Sequence, residues 1–340
     1  AFTPFRRFFA RSIDLVIYGL PVQLLIARFI PPSLLSEMAW ITLLNSYIGY
    51  GVMLLVEPIL LHFFGCTPGK WLWGLRVEGP EGKLSWAEAR ARTLEMFSRG
   101  LGWGIPGYIL WREFDCMRDC MDRKAMPWDY VRYYTVDESK TRFRAVGTLG
   151  FHLAMLGLTI FVGFLQLLPP NRGELTTAEF AENYNYYVWY LGLSSNVYHL
   201  DEEANFAPLP ESPGTVVIYL GGRLRSEFDC QLEDGKIVSA TVHMERFGGQ
   251  ITFGATDMLL PILACSGGWS NLSDIVELAR LEEEISPNSL SDYSMKIPGG
   301  TASWTVQTEG YELYDNFGMI SKDGEENAFY RVLTIQKDLT

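Results

Sequence analysis

Two carboxylates stand inside long apolar runs of this 340-residue chain. Asp14 falls within SIDLVIYGLPVQLLIARFI, residues 12 to 30, just after Arg6, Arg7 and Arg11. On a helix, at about 100° per residue, Arg7 and Asp14 lie on nearly the same face about two turns apart, with Arg11 between them. A carboxylate at membrane depth costs on the order of 2.5 to 3.5 kcal/mol unless it is paired or turned into a bundle. Asp14 therefore reads either as an ion or proton site or as half of a buried ion pair, with Arg7, Arg11 or another helix, that fixes register. Glu57 lies in AWITLLNSYIGYGVMLLVEPILLHFF, residues 39 to 64, directly before Pro58, and His62 follows a little over one turn later. The proline ring frees a backbone carbonyl nearby. Carboxylate, loose carbonyl and imidazole at one end of a span suit a cation or proton relay. The plainer alternative is that Glu57 snorkels to the cytoplasmic interface beside an interfacial His62.

Thr67, Pro68, Gly69 and Lys70 look like a fragment of a phosphate loop, yet the first glycine and the preceding strand are missing. Pro68 and Gly69 are expected to make a turn, with Lys70 meeting lipid phosphates and Trp71 and Trp73 at headgroup depth. Ser85 with Glu88 forms a capping box that starts an interfacial helix carrying Arg90 and Arg92. The five cysteines, Cys66, Cys116, Cys120, Cys230 and Cys265, have no zinc spacing, so no metal or other cofactor is expected. Cys230 and Cys265 can pair as a disulfide in an extracytoplasmic compartment, or remain two buried thiols.

Three segments must position these groups. Residues 12 to 30 are long enough to cross about 30 Å of hydrocarbon, residues 39 to 64 are longer and can tilt, and residues 146 to 168 carry no formal charge. The first run lacks a small-residue cleavage pattern and is followed at once by the second, so it is read as an anchor that stays. Lys and Arg collect before the first span, between residues 65 and 92, and between residues 112 and 144. By the positive-inside rule all three stretches belong in the cytoplasm. Residues 93 to 111 then cannot cross once, and Gly100, Gly102, Gly104, Pro106 and Gly107 break a helix there. A re-entrant hairpin or two interfacial helices satisfies both constraints. The alternative is a further full span, which would put the C-terminal part in the cytoplasm.

The segment RRFFARSIDLVIYGL and the loop GCTPGKWLWGLRVEGPEGKLSWAEARART resemble the RDD family of small bacterial membrane proteins, named for one arginine and two aspartates. Arg7 and Asp14 fit the first pair, with Ala10 between them. Thr67 to Lys70, Gly74, Arg76 and Val77 fit the T-P-G-K and G-x-R-V elements. Asp129, in PWDYVRYYTV, fits the second aspartate, with Thr135 and Val136 behind it. Where the family pattern has Gly-Thr, this chain has Tyr134 and Thr135. The resemblance covers about residues 5 to 137 and is silent on residues 170 to 340. It implies a transporter or membrane accessory protein, some members resembling cation/proton exchangers. With Glu57 added from its own position in the second run, the expected ion or proton site, or signature polar cluster, is Arg7, Asp14, Asp129 and Glu57.

The remainder differs in chemistry. Residues 1 to 170 hold 18 Lys/Arg and 14 Asp/Glu, whereas residues 171 to 340 hold 10 and 26, the latter a strongly acidic half that would repel nucleic acid. A helix over 176 to 193, strands at 215 to 221 and 226 to 246 turning at Asp234-Gly235, helices over 257 to 265 and 271 to 285, and strands near 303 to 309, 315 to 321 and 328 to 336 make an α+β domain. The second of those helices is expected to be capped by Asn271 or Ser273. No H-E-x-x-H or G-x-S-x-G occurs in it, so an enzyme is not expected. The expected architecture is a membrane α-helical bundle, three spans plus a re-entrant or interfacial segment over residues 1–169, followed by a soluble acidic α+β domain over residues 170–340. Expected partners are the lipid bilayer, a cation or small solute and a second copy of the chain, without nucleic acid. The protein is placed as multi-pass in the cell membrane, its N-terminus cytoplasmic and its C-terminal domain extracytoplasmic. The rival is a membrane-anchored sensor or scaffold whose soluble domain binds a partner.

Overall fold

The computed structural model describes residues 3–32, 39–79, 82–129, 133–136, 141–193, 198–206, 221–252, 256–265, 272–314, 318–322 and 328–338. It divides into two compact units, Ala1–Ile160 and Phe161–Thr340.

In the first unit α1 (Pro4–Phe29) packs against α2 (Ala39–Phe64). A single turn, α3 (Pro68–Leu72), follows, and then the strand β1 (Leu75–Glu78). The amphipathic α4 (Trp86–Glu95) begins at the Ser85/Glu88 capping box read from the sequence. Residues 93 to 111 break as the glycines demand. A π turn at Met96–Gly100 and a 3-10 turn at Gly102–Gly104 separate α4 from α5 (Tyr108–Met121). Gly104 has φ +71°, and a Cβ there would stand 2.4 Å from the Tyr50 ring, so both backbone hand and packing call for glycine. β1 pairs antiparallel with β2 (Tyr133–Val136), Leu75 opposite Val136.

The long helix α6 (Thr141–Leu167) runs across the boundary between the units. Among the described residues, three helices are long and apolar enough to span a membrane: Pro4–Phe29, Trp40–Phe64 and Arg142–Leu167. Leu25, Leu55, Leu149 and Leu156 stand exposed along them. A surface this apolar is unstable in water and is what hydrocarbon solvates. The chain is thus a membrane helical bundle followed by an α+β domain.

In the second unit α7 (Thr177–Tyr190) opens on a Thr176/Glu179 capping box. Seven strands form one antiparallel sheet: β3 (Gly221–Glu233), β4 (Lys236–Thr252), β5 (Tyr293–Ile297), β6 (Gly300–Glu309), β7 (Tyr311–Tyr314), β8 (Gly318–Ser321) and β9 (Ala328–Lys337). The order is β5-β6-β9-β4-β8-β7, with β3 also on β4. Asp234 (φ 50°) and Gly235 (φ 77°) make the expected hairpin turn. The aromatic face of α7 (Phe180, Tyr184, Tyr187) and the buried α8 (Thr256–Cys265) join Val242, Trp304 and Leu333 in one core.

Several sequence readings change here. The strands β5 and β7 were not read, being four or five residues long. The helix α9 (Leu272–Asn288) starts so that Ser273 lies inside it and cannot be its cap, and Asn271 lies outside the described residues. Residues 215 to 220 lie outside them as well. In this structure Cys230 and Cys265 are free thiols, one of the two alternatives read from the sequence. Burial pushes the Cys230 thiol up to about 11 and the Cys265 thiol up to about 12.

Candidate functional site

The first half of α1 turns Arg7, Arg11 and Asp14 inward, as their spacing dictates, and each meets a different partner. Arg7 pairs with Asp129 in the short turn Pro127–Asp129. Arg11 forks onto Glu57 of α2, Nη1 donating to Oε2 at 2.6 Å and Nη2 to Oε1 at 3.0 Å. Such bidentate pairs are the strongest and most directional a guanidinium makes. Asp14 is completely buried and accepts from the Thr67 hydroxyl and, at 2.8 Å, from the Gly69 backbone N–H.

Lys70 ties these pairs together. Its Nζ donates to Glu57 Oε1 at 3.0 Å and to Thr67 Oγ1 at 3.2 Å, and stands 3.7 Å from Asp14 Oδ2. Arg92 of α4 adds a second bridge, Nη2 lying 3.4 Å from Asp129 Oδ1 and Nη1 4.0 Å from Glu57 Oε1. Gly69 makes the approach possible, since a Cβ there would lie 2.0 Å from the Ala10 carbonyl oxygen. The T-P-G-K element is therefore a clamp: Thr67 caps α3 through the Lys70 N–H and binds Asp14, Gly69 lets α3 touch α1, and Lys70 enters the bundle.

The structure brings Arg7, Asp14, Glu57 and Asp129 into one network with Thr67, Gly69 and Lys70, and leaves Arg76 outside it. Arg76 faces Glu78 at 3.7 Å on the exposed strand. Asp14 is engaged by Lys70 and Thr67, while Arg7 and Arg11 are drawn to the other two carboxylates. Glu57 does not snorkel but is fully buried. His62 is turned to Leu84, its Nδ1 lying 2.8 Å from the Leu84 carbonyl oxygen. Lys70, expected at lipid phosphates, is 5% exposed. Trp73 is buried and stacks on Phe9, whereas Trp71 is exposed.

Two contributors escaped sequence reading. Arg92 is 1% exposed. Two residues along a helix turn a side chain by about 200°, so the pair Arg90 and Arg92 carried the hint that one of them faces inward. Glu113, on α5, had no signal, since it lies among several acidic residues of a basic stretch. A cavity of about 120 Å3 abuts the network and is lined by Arg7, Arg11, Lys70 and Arg92, by Glu113, and by apolar Met96, Leu101, Met126 and Trp128.

The electrostatics are those of a desolvated site. Burial pulls the Lys70 ammonium below its ordinary range, opposed by Glu57. Burial likewise lowers Arg92 to about 10, opposed by Asp129 and Glu57, which leaves it charged at neutral pH. Burial raises the Glu113 carboxyl, opposed by Arg11. Four cations meet three carboxylates in the network, an excess of one positive charge. Burying ions costs several kcal/mol apiece, so a network this large is poorly explained by stability alone. Among the described residues no three His, Cys, Asp or Glu side chains gather as a metal set.

The model of the RDD family matches residues 2–176. No curated protein and no solved structure matches the chain.

Proposed function

Because the chain belongs to the RDD family, and is an integral membrane protein by its apolar helices, we propose that its N-terminal bundle carries a small ion or solute through the buried network. The observation that supports this most is the conjunction of Glu57 and Asp14, both wholly buried, with a cavity whose wall is formed by their cationic partners. Intramembrane ionisable groups that face one another across a cavity are the usual apparatus of a solute pathway.

Cation/proton exchange is one version of this proposal. It requires Glu57 or Asp14 to change protonation in the cycle, because a fixed charge cannot couple two fluxes. In the state observed every network carboxylate is held by a guanidinium or ammonium, so an incoming cation would have to displace Lys70 or Arg11. No enzymatic activity is part of the proposal. The proposed setting is the cell membrane of a bacterium, with the N-terminus and the basic stretches 65–92 and 112–144 cytoplasmic and the acidic domain opposite.

The second reading, an anchored sensor or scaffold, is favoured by one observation: the acidic unit has a complete core of its own. Flux in proteoliposomes separates the two. A carrier shows pH-dependent solute flux that falls in folded Glu57→Gln and Asp14→Asn proteins. A scaffold shows none, and its cellular effect survives those substitutions but not deletion of residues 171–340.

A further inference from the structure

Glu113 is the one carboxyl on the cavity wall that, among the described residues, forms neither a hydrogen bond nor a salt bridge. The three carboxylates of the network stand behind their cations, so the cavity itself is faced by Arg7, Arg11, Lys70 and Arg92. Met96, Leu101, Met126 and Trp128 line it as well. A site lined by both cationic groups and apolar side chains suits an amphipathic anion. Guanidinium groups bind carboxylates by paired hydrogen bonds, and the apolar wall replaces the water around a short hydrocarbon body. An apolar cavity of about 150 Å3 holds a benzene ring, so the smaller space here, about 120 Å3, fits a body of fewer than six carbons.

We propose that this cavity binds a small monocarboxylate, and that the Glu113 carboxyl takes up one proton as the anion enters. This rests on the reading of the bundle as a solute site and names its ligand class. The excess of one positive charge in the network matches a single negative charge on the ligand. An ionised Glu113 would both cancel that excess and repel the anion, so the anion and a proton arrive together: carboxylate to the cations, proton to the Glu113 oxygen, net charge unchanged.

The groups facing Glu113 are consistent with that role. Arg11 of α1 favours its ionised form, while burial opposes it. Tyr50 of α2 and Cys116 of α5 are its other titratable neighbours, and burial raises the Cys116 thiol further above its ordinary range. Lys70, Arg7 and Arg92 complete the wall.

Isothermal titration of the purified protein with butyrate, between pH 5 and 8, tests the proposal. Saturable binding is expected, with affinity falling about tenfold per pH unit once Glu113 ionises and one proton taken up per ligand, as two buffers of different ionisation enthalpy reveal. Glu113→Gln should retain binding and lose both the pH slope and the proton uptake. Laurate should bind more weakly than butyrate, because its chain exceeds the cavity; tighter binding of laurate overturns the small-solute reading in favour of a lipid-derived acid. Tighter binding of a small cation such as sodium than of butyrate, or butyrate binding with no pH slope in the unmodified protein, overturns the proposal. Binding without flux in liposomes would uphold the site and sink the carrier reading. Flux of another solute with no butyrate binding would do the reverse.

Discussion

Asp14 has all its partners within the protein, and that makes it fragile. Removing one member of a buried ion network leaves the others charged in a medium that cannot solvate them, at about 3 to 5 kcal/mol. Asp14→Asn is expected to lower the thermal midpoint of the detergent-solubilised protein, and an unchanged midpoint would mean that Asp14 is not buried among Thr67, Gly69 and Lys70. Gly69→Ala should be as severe by a different route, forcing α3 off the Ala10 carbonyl. Gly157→Ala in α6, where an added Cβ meets nothing within 4 Å, serves as the neutral control. Tyr18 makes a third case. Its ring is buried and its hydroxyl has no hydrogen-bond partner among the described residues. A buried hydroxyl left unsatisfied costs about 1 to 3 kcal/mol. Tyr18→Phe should therefore be neutral or stabilising, and a loss of stability would show that the hydroxyl is engaged.

At the scale of elements, the unusual feature is how little regular structure holds the network. Thr67 to Lys70 make one turn, and Asp129 sits on another. Both turns are pinned, one by Gly69 against α1 and the other by the bridges of Asp129 to Arg7 and Arg92. The start of α4 is fixed by its capping box, in which Glu88 accepts from the Ser85 N–H at 2.8 Å. Ser85→Ala should cost about 1 kcal/mol, read as a small drop in thermal midpoint, and should loosen Arg92 with it. Glu113 predicts a pH dependence. Its folded carboxyl is raised by burial, so the folded state holds that proton more tightly than the unfolded chain does. Its contribution is fully present below the ordinary carboxylate range and is lost as pH rises through the raised value. Thermal stability measured across this window should decline with pH, and Glu113→Gln should flatten that segment of the curve.

The spans, the break at residues 100 to 107, the Ser85/Glu88 capping box and the Asp234-Gly235 hairpin were legible because each rests on a local rule. Apolar length, glycine density and cap chemistry act within a few residues. The partners of Asp14 were not legible. Spacing on α1 put Arg7 and Arg11 beside it, but pairing is decided by which cation each distant element delivers, and α3 and α4 deliver Lys70 and Arg92. The same limit hid Glu113. Trp73 and Lys70 were placed at the lipid surface for their residue types, whereas Gly69 draws their turn into the bundle.

For the whole molecule, the division into a bundle and an acidic sheet domain frames the choice between carrier and anchor. Topology comes first. Single thiols placed in 112–144 should be shielded from a membrane-impermeant reagent in intact cells, and one near Glu283 should react. The opposite pattern would put the acidic domain in the cytoplasm and make residues 93 to 111 a crossing. The carrier account makes a sharper demand, that the cavity open to both sides of the membrane in turn. Cys116 lines that cavity and serves as a native probe. In reconstituted vesicles of known orientation, with the other four cysteines replaced, impermeant maleimide at pH 8 should reach Cys116 from either face, and a bound solute should slow both reactions. Reaction from one face only, unchanged by any solute, would contradict the account and leave the bundle as an anchor.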